Sequence, residues 1–149
     1  MSMTTSRGNR WATRGSSKAP SSALVSNTPY RDLAPEITRQ RLLVEGYWTV
    51  EVDEPSIRQL LLDLAAHLGL HTYGEPVVYA PASGMGREAN AGWDAFVPLI
   101  DSGISAYFWS GPRFFSLVLY TCKPFDADAA VAFVRDALGA TEDMARLEF

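Results

Sequence analysis

The sequence has few of the residues that bind metals or cross-link chains. In 149 residues it contains one cysteine, Cys122, and two histidines, His67 and His71, neither of which stands in a recognisable motif. A single cysteine excludes a disulfide within the chain and favours a reducing compartment, so we expect a cytoplasmic protein. These three side chains are too few for a zinc site of the Cys/His type, and we predict no metal.

Long apolar runs are also missing. The sequence has no stretch of 18 apolar residues and no continuous apolar segment near its N-terminus. This excludes a transmembrane helix and gives no sign of a secretory signal, so we expect no membrane partner. With 47% apolar residues, the chain has enough apolar surface for the core of one domain.

Acidic residues are absent from positions 1–31, which hold eleven serines and threonines. Such a segment buries too little apolar surface to offset its ordering entropy, so we predict a disordered basic tail over residues 1–38 and a folded domain over 39–149. An organelle transit peptide and an arm for an acidic surface are alternative interpretations. Beyond residue 41 the chain has six basic and fifteen acidic residues, and we expect no nucleic-acid partner.

The periodicity of the remaining sequence predicts an α+β fold. A helix pattern follows Asp53 and ends at Gly69, and a second one spans residues 126–139. Strand patterns cover residues 42–52, 71–80, 95–100, 104–109, 113–121 and 145–149. Short consecutive strands joined by tight turns indicate an antiparallel sheet, with both helices on one face as a two-layer sandwich.

The strand over 113–121 is apolar on both of its sides. Leu117 and Leu119 lie on one side, and Val118 and Tyr120 lie on the other. One side should meet the helices and the other needs a partner. We therefore expect a homodimer in which two sheets pack together as a four-layer α/β/β/α sandwich.

A polar tripeptide, Asp101-Ser102-Gly103, separates two of the apolar strands. All three residue types favour turns, so local chemistry alone indicates a hairpin. The wider pattern, however, resembles the prokaryotic S-adenosylmethionine decarboxylase family, whose members are pyruvoyl enzymes made as self-cleaving proenzymes. Residues 42–47, Leu-Leu-Val-Glu-Gly-Tyr, are similar to that family's opening strand, L-L-V-E-L-Y-G.

Spacing around Ser102 carries the rest of the resemblance. Residues 101–105, Asp-Ser-Gly-Ile-Ser, resemble the family's E-S-H-I-S around its cleavage serine. Gly92 stands ten residues before Ser102, Trp109 seven residues after it and Cys122 twenty residues after it, as the corresponding residues do in the family. The resemblance covers residues 41–149.

The resemblance implies self-cleavage between Asp101 and Ser102. The Ser102 hydroxyl would attack the Asp101 carbonyl, and elimination followed by hydrolysis would leave a pyruvoyl group derived from Ser102. This group, the one cofactor implied, would form a Schiff base with the substrate amine and accept electrons as CO₂ leaves. Cys122 would then act as the general acid that returns a proton.

Several family residues are replaced. The histidine that follows the serine is Gly103, and the processing histidine, five positions after the serine, is Tyr107. Because tyrosine is a far weaker base than histidine, elimination would run through Tyr107, Ser105 or a water molecule. Gly111 replaces the ribose-binding glutamate.

The adenosine contacts are also incomplete, because the aromatic partner of the adenine, expected just before Gly92, is missing. Trp109 is the retained substrate-binding residue, and Glu45, Glu88 or Asp94 are the candidates for holding the ribose.

Three hypotheses follow. The first is pyruvoyl-dependent decarboxylation of S-adenosylmethionine for polyamine synthesis. The second keeps the pyruvoyl group but acts on another amino acid, such as ornithine or arginine, which the loss of adenosine contacts favours. The third is an uncleaved, non-catalytic homologue that acts as a binding or regulatory subunit, which the loss of the processing histidine favours.

Overall fold

Six strands and two α-helices follow one another in the order β-α-β-β-β-β-α-β in the computed structural model, which describes residues 29–80, 87–141 and 143–149. The elements are β1 (Gln40–Tyr47), α1 (Glu54–His67), β2 (Val77–Tyr79), β3 (Gly92–Leu99), β4 (Ser102–Trp109), β5 (Phe114–Thr121), α2 (Ala127–Leu138) and β6 (Ala145–Glu148). A short 3₁₀ helix, Glu88–Asn90, precedes β3.

The chain divides into two units, Met1–Leu33 and Ala34–Phe149, and all of these elements lie in the second. The tail predicted over residues 1–38 lies mostly outside the described residues, so its boundary stays a prediction.

The strands form one antiparallel sheet in the order β2-β3-β4-β5-β1-β6. This arrangement confirms the predicted α+β fold class. Strands β3, β4 and β5 are joined by hairpins at the centre of the sheet, and β1 returns beside β5. The central hairpin, β3–β4, therefore carries the Asp101-Ser102 dipeptide at its tip.

Both helices begin and end where local capping rules predict. The Asp53 side chain accepts a hydrogen bond from the Ser56 backbone N–H at 2.8 Å, and the Ser56 hydroxyl accepts one from the Asp53 backbone N–H, which completes a capping box. The Asp126 side chain caps α2 by accepting one hydrogen bond from the Ala129 backbone N–H at 3.0 Å, and Gly139 ends this helix in the left-handed conformation at φ 57°.

One face of the sheet is covered by the two helices. The alternate residues of β5 that point to this face, Phe115, Leu117 and Leu119, are at most 1% exposed. They pack with buried residues of both helices into one core, which includes Leu61, Leu64, Val134 and Leu138. Burial of these side chains supplies the main driving force for folding.

The opposite face carries no helix of the described chain, and we call it the open face. Residues that are paired in neighbouring strands point to the same side of the sheet. On the open face these residues are Val77, Tyr79, Asp94, Phe96, Ser105, Tyr107, Trp109, Phe114, Ser116, Val118, Tyr120, Leu43, Glu45, Tyr47 and Leu147. Phe96 is 41% exposed and Tyr120 is 37% exposed. The face is thus largely apolar and accessible in the single chain.

Two strands are shorter than the sequence predicts. β1 ends at Tyr47 because the next backbone N–H groups leave the ladder: Trp48 donates to Arg113 and Thr49 donates to Leu138. The strand predicted over residues 71–80 is reduced to Val77–Tyr79, with a single bridge between Thr72 and Leu99. Pro76, which lacks an N–H group, interrupts this segment. Within the described residues, no helix has the length and apolar character to cross a bilayer.

Candidate functional site

The β3–β4 turn displays the peptide bond between Asp101 and Ser102. Leu99 pairs with Ser102, so Ile100 and Asp101 alone make the turn. Asp101 has φ 53°, a left-handed conformation that aspartate tolerates better than most side chains. The predicted cleavage site thus lies at a tight, exposed hairpin tip rather than inside a strand.

Ser102 and Cys122 are in direct contact. The backbone N–H of Cys122 donates a hydrogen bond to the Ser102 Oγ at 3.0 Å. A donor in this position stabilises negative charge on the hydroxyl oxygen as it loses its proton. The predicted nucleophile and the predicted acid, twenty residues apart in sequence, are therefore neighbours.

The segment that contains Cys122 is held at both ends. The Thr121 hydroxyl donates to the backbone carbonyl of Lys123 at 2.7 Å. Gln40 forms two hydrogen bonds with the backbone of Phe125, one as donor and one as acceptor, both at 3.0 Å. These bonds fix the position of the Cys122 N–H group relative to Ser102.

Ser102 lines two cavities, one on each side of the hairpin. The first, which we call the turn cavity, has a volume of about 210 Å³ and contains His71, Cys122 and Lys123 beside Ser102. The second, of about 310 Å³, lies on the open face, where Phe96 and Ser105 contribute to its lining. A small molecule can therefore approach the Asp101-Ser102 peptide from either side.

Tyr107, Trp109 and Ser105 lie on the open face, whereas Ser102 shares the helix side with the buried Ile104. Five residues of strand separate Ser102 from Tyr107, which is about 16 Å. The structure thus brings Ser102 and Cys122 together but does not bring Tyr107 to the serine of its own chain. Tyr107 and Trp109 are ring neighbours, with centroids 6.5 Å apart.

Two of the three ribose candidates lie in one row across the open face. The strand register places Asp94 beside Tyr107, Tyr107 beside Ser116, and Ser116 beside Glu45. The Ser116 hydroxyl donates to Glu45 Oε1 at 2.8 Å. This row is a polar stripe of hydroxyl and carboxylate groups on an otherwise apolar face.

Glu88 is separate from this row. It is an exposed residue of the 3₁₀ helix Glu88–Asn90, ahead of β3. Ser116, by contrast, was not a sequence candidate, because its place beside Tyr107 depends on the β4–β5 register and not on any local motif.

Phe96 explains the glycine that follows Ser102. A Cβ atom at Gly103 would lie 2.6 Å from Cε2 of Phe96, so the phenyl ring occupies the space that a side chain would need. The family histidine at this position would therefore require Phe96 to move. The absence of the histidine is visible in the sequence, whereas the ring that fills its space belongs to the neighbouring strand β3.

A further groove of about 300 Å³ runs between the two helices, and Val52, Leu60 and Phe133 are among its lining residues. None of the predicted site residues lines it, and it does not include Ser102 or Cys122. The chemistry-bearing residues are thus concentrated at the hairpin tip and on the open face.

The family model for S-adenosylmethionine decarboxylase matches residues 41–146. The chain belongs to the S-adenosylmethionine decarboxylase family. This finding confirms the resemblance based on Ser102, Cys122 and the residues spaced around them, and it supports decarboxylation of S-adenosylmethionine at the level of the family.

A solved S-adenosylmethionine decarboxylase has the same fold. The crystal structure of the adenosylmethionine decarboxylase from Aquifex aeolicus VF5 is similar to this chain with a TM-score of 0.56 and 19% sequence identity, and the similarity covers 76% of this chain and 89% of that chain. At this identity the similarity establishes the architecture and not the substrate. No curated protein matches the chain.

Proposed function

We propose that the chain is a proenzyme that cleaves itself between Asp101 and Ser102 and then decarboxylates S-adenosylmethionine in polyamine synthesis. The observation that carries the proposal is the hydrogen bond from the Cys122 backbone N–H to the Ser102 Oγ, at the tip of an exposed hairpin. It gives the serine an oriented hydroxyl beside the peptide that must break.

The cleavage chemistry suits this arrangement. When the Ser102 Oγ attacks the Asp101 carbonyl carbon, its O–H proton leaves and negative charge passes through the oxygen atoms of the reaction centre. The Cys122 N–H group, which contacts the Ser102 Oγ, stabilises charge on that atom while its proton leaves. In the adduct that follows, the negative charge lies on the former carbonyl oxygen of Asp101. The two-residue turn also leaves the Asp101 carbonyl outside the ladder of the strand pair β3–β4.

The pyruvoyl cofactor fits because it would form from Ser102 itself, at a position that lines both cavities. When present, this ketone supplies an electron sink for the bond that releases CO₂. Cys122 is half-buried and lines the turn cavity together with Ser102, which supports the proposal that its thiol returns a proton to the substrate carbon. A free thiol in this role requires a reducing setting, so a cytoplasmic location is part of the proposal.

A homodimer is the second part of the proposal. Tyr107 and Trp109 face away from the Ser102 of their own chain, on a face that is apolar and accessible. If two copies pack through their open faces, these rings and the stripe that contains Glu45 become the lining of a closed space between two sheets. In such a space Trp109 would stack on the adenine.

One observation favours the second hypothesis, in which the substrate is another amino acid such as ornithine or arginine. Gly111, which replaces the ribose-binding glutamate of the family, has open space around it, because a Cβ atom there would meet nothing within 4 Å. No carboxylate is therefore supplied at that position. Ornithine and arginine need no ribose contact, so the substrate assay must include both.

The proposed function is tested by release of labelled CO₂ from carboxyl-labelled S-adenosylmethionine, ornithine and arginine. We expect release from S-adenosylmethionine by the wild-type protein and none by Ser102→Ala. Cys122→Ala keeps its backbone N–H group, so it should still cleave itself but lose about 10²-fold in turnover, the size of a general-acid contribution.

The assay separates the three hypotheses. Release from ornithine or arginine alone would establish the second substrate class. An absence of release from all three, by a correctly folded protein, would indicate the non-catalytic homologue and contradict the proposal.

A further inference from the structure

We propose that His71 is the base that accepts the Ser102 hydroxyl proton in the first step of self-cleavage, the acyl shift that precedes elimination. This inference rests on the proposed self-cleavage at Asp101-Ser102. It concerns a residue from the segment after α1, outside every motif that carries the family resemblance.

Backbone contacts hold His71 next to the cleavage turn. The Ile100 N–H donates to the His71 carbonyl at 3.1 Å, and Thr72 forms a bridge with Leu99. Leu99 is in turn the strand partner of Ser102. Two strand spacings, about 10 Å, therefore separate the backbone of the His71 segment from that of Ser102.

A histidine side chain, a serine side chain and one hydrogen bond are together long enough to span that distance. His71 and Ser102 both line the turn cavity, and His71 is exposed to solvent, so its ring is free to exchange protons with water. Histidine is the side chain that most often acts as a general base in enzymes.

The other titratable groups of the turn cavity are less suited to this step. Lys123 is a cation whose Nζ donates to the Gly69 carbonyl at 3.1 Å, and a protonated amine cannot accept a proton. Asp101 provides the carbonyl group under attack. Cys122 contacts the Ser102 Oγ through its backbone N–H, as a donor.

The remaining candidates lie elsewhere. Tyr107 of the same chain is about 16 Å along β4 and on the opposite face. The second histidine of the sequence, His67, packs against Phe133 with ring centroids 4.9 Å apart. His71 is thus the one histidine that shares a cavity with Ser102.

The Ser102 Oγ–H proton passes to the imidazole of His71 while the Oγ–C bond to Asp101 forms. The C–N bond between Asp101 and Ser102 then breaks, and the imidazolium returns the proton to the departing nitrogen, which leaves an ester and a free amine. No electron donor or acceptor is required, and His71 ends in its starting state.

The test measures the rate of self-cleavage in newly made protein, by pulse-labelled cell-free translation followed by gel separation. His71→Gln should slow cleavage about 10²-fold, while His67→Gln, the matched control, should cleave at the wild-type rate. The wild-type rate should fall in acidic solution, because a protonated imidazole cannot act as a base. Added imidazole should partly restore cleavage in His71→Gln.

Folding is checked separately by thermal melts of the Ser102→Ala and Ser102→Ala/His71→Gln proteins, which cannot cleave and should melt at the same temperature. Cleavage of His71→Gln at the wild-type rate would overturn this inference and leave the proposed function standing. The inference would also be overturned if His71→Gln cleaves slowly but has the same pH profile as the wild type and is not rescued by imidazole. If the wild-type protein never cleaves, the proposed function itself fails, and the inference fails with it.

Discussion

At the scale of single residues, two glycines of the β3–β4 hairpin, Gly103 and Gly92, stand where a side chain would collide with neighbouring atoms. Gly103 leaves room for the ring of Phe96. Gly92 pairs with Trp109, and a Cβ atom at this position would lie 1.7 Å from the backbone oxygen of Phe108. Gly92 is recognisable in the sequence because it stands ten residues before Ser102. Its missing side chain allows β3 to approach β4 closely.

Gly92→Ala should destabilise the protein by at least about 2 kcal/mol, because β3 and β4 must separate to admit the methyl group. Gly111→Ala is the matched control. Its Cβ atom meets nothing within 4 Å, so its stability should stay within about 0.5 kcal/mol of the wild type. Urea unfolding of both variants in the Ser102→Ala background measures the difference, and equal stabilities would contradict the steric account.

At the scale of elements, the helices and the central hairpin could be predicted because short-range rules determine them. Asp53 and Gly139 mark helix ends through capping contacts within a few residues, and the structure has both. The hairpin at Asp101 follows from turn residues between two apolar runs. The alternation of side chains along β4 also implies that Ser102 and Tyr107, an odd number of residues apart, face opposite sides.

The neighbours of the Asp101-Ser102 turn could not be predicted in this way. His71 reaches the turn through the bridge between Thr72 and Leu99, two residues far apart in sequence, and no local pattern indicates that pairing. The interruption of β2 at Pro76 likewise turned a predicted long strand into a short one. Contacts of this kind depend on the sheet register, which the hydrophobic pattern alone leaves open.

The first turn of α1 gives a pH-dependent prediction. Hydrogen bonds from the Ser56 backbone N–H and the Ser56 side chain hold the pKa of Asp53 below its ordinary value of 3.8. Because the folded pKa is lower than the unfolded one, the stabilisation is present at neutral pH and is lost as the pH falls through the folded value. Asp53→Ala should therefore be less stable than the wild type at pH 7, with a smaller difference at pH 3.

Urea unfolding at the two pH values measures this change. Asp53→Asn is the control, because asparagine retains the capping acceptor without the charge. A difference between the wild type and Asp53→Ala that grows on acidification would contradict the capping account.

At the scale of the whole molecule, the open face is the feature that the single chain leaves unexplained. One side of the sheet is buried by two helices. Beside the Asp101-Ser102 turn, the other side has an exposed Phe96 and a half-buried Val118. Exposed patches of this kind usually mark interaction surfaces. The proposed homodimer would cover the face and enclose Tyr107 and Trp109.

Val118→Asp should weaken this dimer at least tenfold, about 1.4 kcal/mol, because it places a charge at the centre of the open face. Ala66→Asp adds the same charge to the exposed surface of α1 and should leave the association unchanged. Sedimentation velocity should show the wild type and Ala66→Asp as two copies of the 16.4 kDa chain and Val118→Asp as one. A monomeric wild type, or a dimer that is insensitive to Val118→Asp, would contradict packing through the open face.

The account of the molecule as a self-processing enzyme is tested most directly by the intact mass of the purified protein. We expect two fragments, residues 1–101 and residues 102–149, with a blocked N-terminus on the smaller one. Ser102→Ala should remain one chain because it lacks the attacking hydroxyl. A wild-type protein that stays a single species of 16.4 kDa after prolonged incubation would contradict the account.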